Sequence, residues 1–508
     1  MPINFIPNDP RVVATLKMRT QPARAERPAG VARFRYVAHG PQALYAPGTA
    51  DFLFWQSREA ALSAVVVFER LSGQRVRRWA RAASPKTLDL LPNDGFDLNA
   101  YYDGQSLSFF EYQTSGVTTH SAASTDVVAH EAGHALLDSI RPDLWDSTFP
   151  ETNAFHEAFG DCMALLTALA DTATRSRVVA NVNKRNVVET TAEDLSAGVR
   201  RAKGPRHPAS APRHARNTFQ WSLPSTLPLS GPPAVLSSEM HSFARVFTGC
   251  FWDTLAGVFA EQSGASAAAL WTATQITGRL LIAAAAQAPE TARFFQSVGQ
   301  TMVLIDNQNN GGAYRTVIRD AFAGHNVMLG SNAMLAPSAA LALGAPRVGA
   351  PGRAAAVAPG VVRELRRRID APAGSRMAVQ SHAVAGQPMA KVVHQREVSL
   401  AGLDPRLKGV VAVAREPVLV GGERRHAAVL GVLPEPHTTT DEVRTYVATL
   451  IERDRVAFTE EAVRKGLGSS SRGDRRQRLP THVVRQRRGR KVLVRVRFAC
   501  GGDGLAAE

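Results

Sequence analysis

The sequence has few cysteines and no long hydrophobic run. Its 508 residues include 3 cysteines, and Cys162, Cys250 and Cys500 form neither a disulfide framework nor a closely spaced metal-binding pair. No apolar run reaches the roughly 18 residues of a membrane-spanning helix; residues 280–288 come nearest. The first residues lack an uninterrupted apolar segment behind a basic start, so no secretory signal is recognised. These absences predict a cytoplasmic protein without a membrane span.

The positive charge is unevenly distributed along the chain. The whole sequence carries a net charge of +16, and residues 346–508 hold 30 Lys and Arg against 16 Asp and Glu. Residues 1–345 are nearly neutral, with a net charge of +2. The arginine-rich run at 472–497 could bind nucleic acid through its phosphate groups. Because this run lacks interleaved aromatic residues and zinc knuckles, nucleic acid is only an alternative partner.

Local patterns place helices and strands along the first two thirds. Apolar spacing predicts a helix from Asp51 that stops at Gly73. Two β-prone runs around an Asp-Gly pair predict a hairpin within 98–112. A helix is expected at 154–170, whereas the basic, Pro-containing stretch 199–216 is expected to be an exposed loop.

Composition marks an irregular lead-in at 1–50, an Ala/Pro/Gly linker at 331–360 and a basic α+β module at 361–508, and the overall pattern predicts an α+β fold. The function of the last module cannot be inferred from its sequence.

The segment HEAGH at 130–134 matches the pattern HExxH. Histidines at i and i+4 lie on one helix face, so His130 and His134 can bind one ion through two ring nitrogens. Glu131 can take a proton from a water molecule that the ion makes more acidic. Because the opposite helix face is apolar, one side can pack inward while the other carries the chemistry. The pattern therefore predicts a zinc-dependent hydrolase with Glu131 as its general base.

A catalytic zinc ion also needs a third protein ligand. Leu137 and Ile140 stand where Gly and His would complete a three-histidine site, which excludes that version. The helical segment 156–161 offers Glu157 instead. Asp161 lies four residues later on the same face, where it can accept the N–H of a ligand histidine and fix its tautomer. With the histidine pair, Glu157 completes the predicted ligand set for one zinc ion.

The segments TDVVAHEAGHALLDS and HEAFGD together resemble the thermolysin-like metallopeptidases, including their fungalysin relatives. The resemblance extends over about residues 51–330. It implies a two-lobed fold, with a β-rich N-terminal lobe at 51–143 that ends in the HExxH helix, a helical C-terminal lobe at 144–330 and the zinc site between them. It also implies a zinc-dependent endopeptidase that hydrolyses peptide bonds of a peptide or protein substrate. Residues 361–508 would be an extra module.

Two further stretches extend the resemblance. LNAYYDGQSLSFFEY is similar to the family's edge strand, which implies that Asn99 and Ala100 hydrogen-bond an extended substrate. In SSEMHSFARVF, His241 corresponds to the histidine that stabilises the tetrahedral oxyanion in the family.

The sequence departs from the family pattern at several positions. His156 stands where the family usually has Asn, and the stretch 135–156 contains no Tyr to serve as the phenolic oxyanion donor. The carboxylate expected five residues before His241 is replaced by Leu236, with Glu239 as the nearest substitute. These differences keep a second function open, namely a degenerate peptidase that binds zinc as a scaffold.

Calcium is not predicted. The acidic cluster that binds calcium in secreted family members is not visible after Asp161, and Asp126 fits an acid at a helix N-terminus. A third hypothesis is a nucleic-acid-binding protein that acts through its basic module. An intact Glu131 favours the peptidase over the scaffold, because metal binding alone needs no general base.

Overall fold

A computed structural model gives the fold and describes residues 1–330, 357, 359–423, 426–430, 433–463 and 480–499. Most of the predicted linker 331–360, and residues 472–479 of the arginine-rich run, lie outside the described residues. The described chain mixes helices and strands, which confirms the α+β class. The predicted boundaries between segments stay predictions.

The α-helices of the described residues are α1 Ala50–Ser72, α2 Thr125–Ile140, α3 Pro150–Ala170, α4 Thr172–Val178, α5 Glu193–Lys203, α6 Met240–Ala260, α7 Ala267–Gln287, α8 Phe294–Asn310, α9 Arg315–Gly324, α10 Pro359–Arg368 and α11 Pro436–Glu452. The strands are β1 Pro2–Phe5, β2 Arg19–Pro22, β3 Arg33–Tyr36, β4 Thr87–Leu91, β5 Ala100–Tyr102, β6 Ser106–Phe109, β7 Glu111–Thr114, β8 Val117–His120, β9 Thr190–Thr191, β10 Arg213–His214, β11 Met377–Val384, β12 Gln387–Ser399, β13 Val410–Glu423, β14 His426–Leu430, β15 Val456–Ala457, β16 His482–Arg487, β17 Arg490–Arg495 and β18 Phe498–Ala499.

Helix α1 is the first long element and lies almost wholly in the core. Its N-terminus is capped by Thr49, whose hydroxyl accepts the N–H of Phe52. Its C-terminus is closed by Gly73 in the left-handed region (φ 70°), whose N–H donates to the Glu69 carbonyl. The predicted helix and its glycine stop are confirmed.

A five-stranded sheet runs in the order β18-β5-β6-β4-β3. Strands β3, β4 and β6 are parallel, whereas β5 is antiparallel to both β6 and β18. The β5–β6 hairpin turns at Gly104 (φ 87°), as the Asp-Gly pair predicts. The sheet also includes β3 from the segment 1–50, which the sequence predicts to be an irregular lead-in. That segment therefore contains strands β1, β2 and β3. Its high content of Pro and Arg does not predict them.

Helices α2, α3, α6, α7, α8 and α9 pack around one continuous core with α1 and this sheet. The central crossing pairs α2 with α3, and α6 lies on the other side of α3. The predicted helix at 154–170 is confirmed as α3, which begins four residues earlier. These contacts position α3 in the interior, where a charged side chain needs a partner.

A second sheet holds most of the described strands after residue 376. It runs β11-β12-β13-β17-β16-β15, with β14 paired to β13. Helix α11 covers it through Val443, Tyr446, Val447 and Leu450. The same hydrophobic cluster includes Phe149, the N-cap of α3. This module therefore packs directly on the beginning of an interior helix.

No helix in the described part of the chain is both long enough and apolar enough to cross a membrane.

We expect Gly73→Ala to lower the free energy of unfolding by about 1 kcal/mol, because an alanine Cβ is strained in the left-handed region. No other atom lies within 4 Å of that Cβ, so the loss comes from the backbone alone. Gly30→Ala is the control, since its Cβ also has open space and its φ is not positive. Urea unfolding measures both variants; equal losses would contradict the assignment.

Candidate metal centre

Two glycines allow α2 and α3 to approach closely. A Cβ on Gly133 of α2 would lie 2.9 Å from the Gly160 Cα, and a Cβ on Gly160 would lie 2.7 Å from the His130 ring. Both distances are shorter than ordinary van der Waals contact, so the crossing requires glycine at both places. This close approach brings Glu157 and Asp161 of α3 to the histidines of α2.

The three predicted ligands converge at this crossing. The Glu157 Oε2 atom lies 3.3 Å from His130 Nε2 and 3.7 Å from His134 Nε2. All three side chains are fully buried, and one donor atom from each lies within 4.8 Å of the others. The geometry therefore fits a single metal ion, and its nitrogen and carboxylate donors are those that zinc prefers.

The hydrogen bonds of this group point to a cation as well. Among the described residues, the Nε2 atoms of His134 and His241 and both carboxylate oxygens of Glu157 have no hydrogen-bond partner. Buried polar atoms without a partner are costly. Burial lowers the pKa of His134 to about 3, which keeps its ring neutral with a lone pair available. A bound cation would satisfy the His134 Nε2 atom and the Glu157 carboxylate together.

Asp161 contacts the predicted ligand His130. The His130 Nδ1–H donates to the Asp161 carboxylate over 2.9 Å, which leaves Nε2 to face Glu157. Arg213 donates to both oxygens of Asp161, over 2.7 and 2.9 Å. Burial alone would raise the pKa of Asp161, but Arg213 and the His130 hydrogen bond outweigh it and hold the pKa below its ordinary value. The carboxylate is therefore charged and fixes the His130 tautomer.

Arg213 is a residue that the sequence analysis missed. It lies in the stretch 199–216, expected to be an exposed loop, where the structure has the end of α5 and the two-residue strand β10. Pairing of β10 with β9 directs Arg213 toward Asp161. The basic character of the stretch gave no signal that one of its arginines turns inward.

His241 lies at the start of α6, beside the same group. Its Nε2 is 3.2 Å from Glu157 Oε2, and its Nδ1–H donates to Glu239 over 2.7 Å. Glu239 also caps α6 by accepting the N–H of Ser242. Burial alone would lower the pKa of His241, but Glu157 and Glu239 outweigh it and raise the pKa. Glu239, which the sequence analysis named as the nearest substitute carboxylate, therefore orients the His241 ring.

His156, which replaces the family's usual Asn, contacts the other ligand. The Nδ1 atoms of His134 and His156 are 3.1 Å apart, so one ring donates and the other accepts. Burial holds the pKa of His156 well below its ordinary value. Both rings are therefore neutral, and this pair positions His134 without a carboxylate.

The prediction that strand β5 lies at the edge of its sheet is wrong, whereas substrate binding by Asn99 and Ala100 stays a prediction. Both residues are fully buried. Strand β5 has β6 on one side and β18 on the other, with Tyr101 opposite Ala499 and Tyr102 opposite Phe498. The strand itself was predictable from its local pattern. Its partner was not, because β18 comes from almost four hundred residues later in the sequence.

A second group of acids lies near the start of α2. Asp126 accepts the N–H of Val127 and of Ala192. Its carboxylate oxygens lie within 4.8 Å of those of Asp9 and Glu193. Burial and the charge of Asp126 raise the pKa of Asp9 to about 7 and that of Glu193 to about 10. A cation or bound protons would relieve this repulsion, and the absence of calcium stays a prediction.

The comparisons with known proteins identify no family. No family model matches the sequence, and no curated protein matches it either.

We expect Glu157→Gln to lose stoichiometric zinc on dialysis, because a neutral amide is a poorer ligand than a carboxylate. Glu151→Gln is the matched control, since Glu151 is equally buried on α3 and burial raises its pKa to about 7. Metal analysis of the dialysed proteins measures the occupancy. Full occupancy in the Glu157 variant would remove Glu157 from the ligand set.

We expect Asp161→Ala to weaken zinc binding about 10–100-fold, because His130 loses the acceptor that fixes its tautomer. Asp171→Ala is the control: Asp171 follows the same helix and also pairs with an arginine, Arg19, over 2.8 Å. Competition with a chromogenic chelator gives both affinities. Equal affinities would show that Asp161 does not support the ligand.

Proposed function

We propose that the protein is a zinc-dependent endopeptidase with a thermolysin-like active site. The observation that supports the proposal most is the convergence of His130, His134, Glu157 and His241 at one buried point. Glu131 follows the first of these residues on α2 and is buried beside them. A metal site that serves only as a scaffold needs neither a general base nor an oriented extra histidine.

The proposed fold is the two-lobed arrangement of that family. In support, α2 contacts both strand β5 of the five-stranded sheet and helix α3, and α3 in turn contacts α6. The site is assembled from α2, α3 and the start of α6, so its residues come from rigid elements. Such a placement holds catalytic groups within the small tolerances that catalysis needs.

The residues have complementary roles in the proposed reaction. When bound, zinc would act as a Lewis acid on the scissile carbonyl and on water. Glu131 removes the proton from the attacking water and then delivers it to the leaving amine nitrogen. The Nε2–H of His241 donates to the developing oxyanion. Glu239 and Asp161 hold His241 and His130 in the tautomers that these steps require.

The scaffold remains the second candidate, and the burial of the site favours it. None of the ligand side chains has an exposed surface, and the phenolic donor of the family is missing from 135–156. The two candidates differ in whether Glu131 transfers a proton.

The described part of the arginine-rich run, residues 480–497, gives the nucleic-acid hypothesis little support. Arg495 and Arg497 are buried. Arg485 pairs with Glu460, and Arg490 pairs with Glu397. These four arginines already interact within the protein, which leaves fewer groups for phosphates.

We expect zinc-loaded protein to cleave short unstructured peptides during long incubation, and Glu131→Gln to cut at least about 100-fold more slowly. The reason is that an amide cannot accept the proton of the attacking water. Mass spectrometry of the digest gives the cleavage rate, and metal analysis checks that the variant still holds zinc. Cleavage at equal rates would exclude Glu131 as the base, and a zinc-loaded protein that never cuts would favour the scaffold.

A further inference from the structure

Strand β18 occupies the side of β5 that β6 leaves unpaired. It runs antiparallel to β5, with Phe498 opposite Tyr102 and Ala499 opposite Tyr101. The other side of β5 is already paired with β6. A peptide that added to this sheet as a further strand would need the backbone groups of β5 that β18 now uses. The chain therefore occupies its own strand-addition site.

The Phe498 side chain reaches the metal centre itself. Its ring stacks on the ligand His134 at 4.9 Å between centroids and 14° between planes. It also stacks on His156 at 4.0 Å. Phe498 is fully buried. An aromatic ring stacked on a predicted ligand imidazole covers one face of that imidazole and limits access to it.

Arg495 secures this end of the chain. Its guanidinium carbon lies 4.0 Å from the centroid of the Phe498 ring. The same side chain donates to the Trp145 carbonyl over 3.0 Å and to the Tyr446 hydroxyl over 2.6 Å. It also donates to Asn153 of the ligand helix α3. Phe498 is thus held in place by a buried network and is not a loose tail.

A second contact closes the side of the site near His241. Arg453, the C-cap of α11, forms an ion pair with Glu239, and both side chains are buried. The cavity lined by Arg213, His241 and Arg453 has a volume of about 50 Å³. That space holds a few water molecules, whereas a peptide needs far more.

We propose that β18 is an inhibitory strand of this protein, which takes the place of an extended substrate beside β5 and closes the metal centre until it withdraws. The inference rests on the proposed peptidase function. Its main support is that a scissile carbonyl must come into contact with the metal, while every ligand side chain is now fully buried. Strand β18 pairs with β5 through two residues only, so its release breaks few contacts of the sheet.

The test compares full-length, zinc-loaded wild-type protein with Phe498→Ala. One measurement is the rate at which a chromogenic chelator removes the zinc; the other is the rate of cleavage of short peptides. We expect both rates to rise at least about 10-fold in the variant, because the ring no longer covers His134. The zinc-removal rate needs no peptidase activity, so it reports closure separately from the proposed function.

Phe34→Ala is the matched control. Phe34 is a buried phenylalanine on β3, at the opposite edge of the same sheet, and it packs on Trp79. Its loss should weaken the sheet without uncovering the metal centre. Zinc removal that accelerates only in the Phe498 variant supports the inhibitory strand. Zinc removal at the same rate in both variants overturns it, whether or not either protein cuts.

The two failures can be distinguished. Faster zinc removal in Phe498→Ala without any cleavage would support closure and count against the peptidase. Cleavage by the wild type at the rate of the variant, with unchanged zinc removal, would support the peptidase and refute closure.

A second variant, which combines three substitutions, covers the case in which Phe498→Ala does not fold. Tyr101→Cys and Ala499→Cys place thiols on directly opposed residues, and Cys500→Ser removes the neighbouring native thiol. Opposed residues of an antiparallel pair lie at a separation that a disulfide can bridge. We expect the oxidised protein to release zinc and cut peptides about 10-fold more slowly than the protein reduced with a phosphine. Equal rates in the two states would refute the inhibitory strand.

Discussion

The candidate metal centre depends on the distance between α2 and α3, and two glycines set that distance. Gly133 and Gly160 face each other, so no side chain separates the two backbones. Glu157 precedes Gly160 by three residues and Asp161 follows it directly. One helix crossing therefore brings one carboxylate to the Nε2 side of His130 and another to its Nδ1 side. A larger residue at 160 would displace the His130 ring and disturb both contacts.

The positive charge of this protein is partly used in its interior. Arg213 holds Asp161, Arg453 holds Glu239 and Arg495 holds the Phe498 ring. Each arginine thus fixes a group that itself contacts a histidine of the site. Buried charges of one sign need partners of the other, and here the acids that orient the histidines find theirs in arginines. A basic composition alone would have suggested an external anionic partner.

The sequence predicts those parts of the site that depend on local spacing. His130 and His134 are four residues apart, about one helical turn, and so are Glu157 and Asp161. The same spacing places each pair on one helix face. Glu239 was found as the carboxylate nearest to His241. Arg213 and Phe498 could not be found in this way, because two-residue strands carry no periodicity. Strand β5 was recognised, but whether a strand is an edge depends on all the chain that pairs with it.

The pairing of β18 with β5 also implies an order of assembly while the chain is synthesised on the ribosome. The helices that carry His130, His134, Glu157 and His241 are complete by residue 260, long before Phe498 is synthesised. At translation rates of about 5–20 residues per second, the interval between residues 330 and 498 lasts on the order of 10–30 s. During that time Phe498 does not yet cover His134, so a metal ion would reach the three predicted ligands more readily. On the inhibitory-strand proposal, β18 would then cover a site that has already had time to bind its ion.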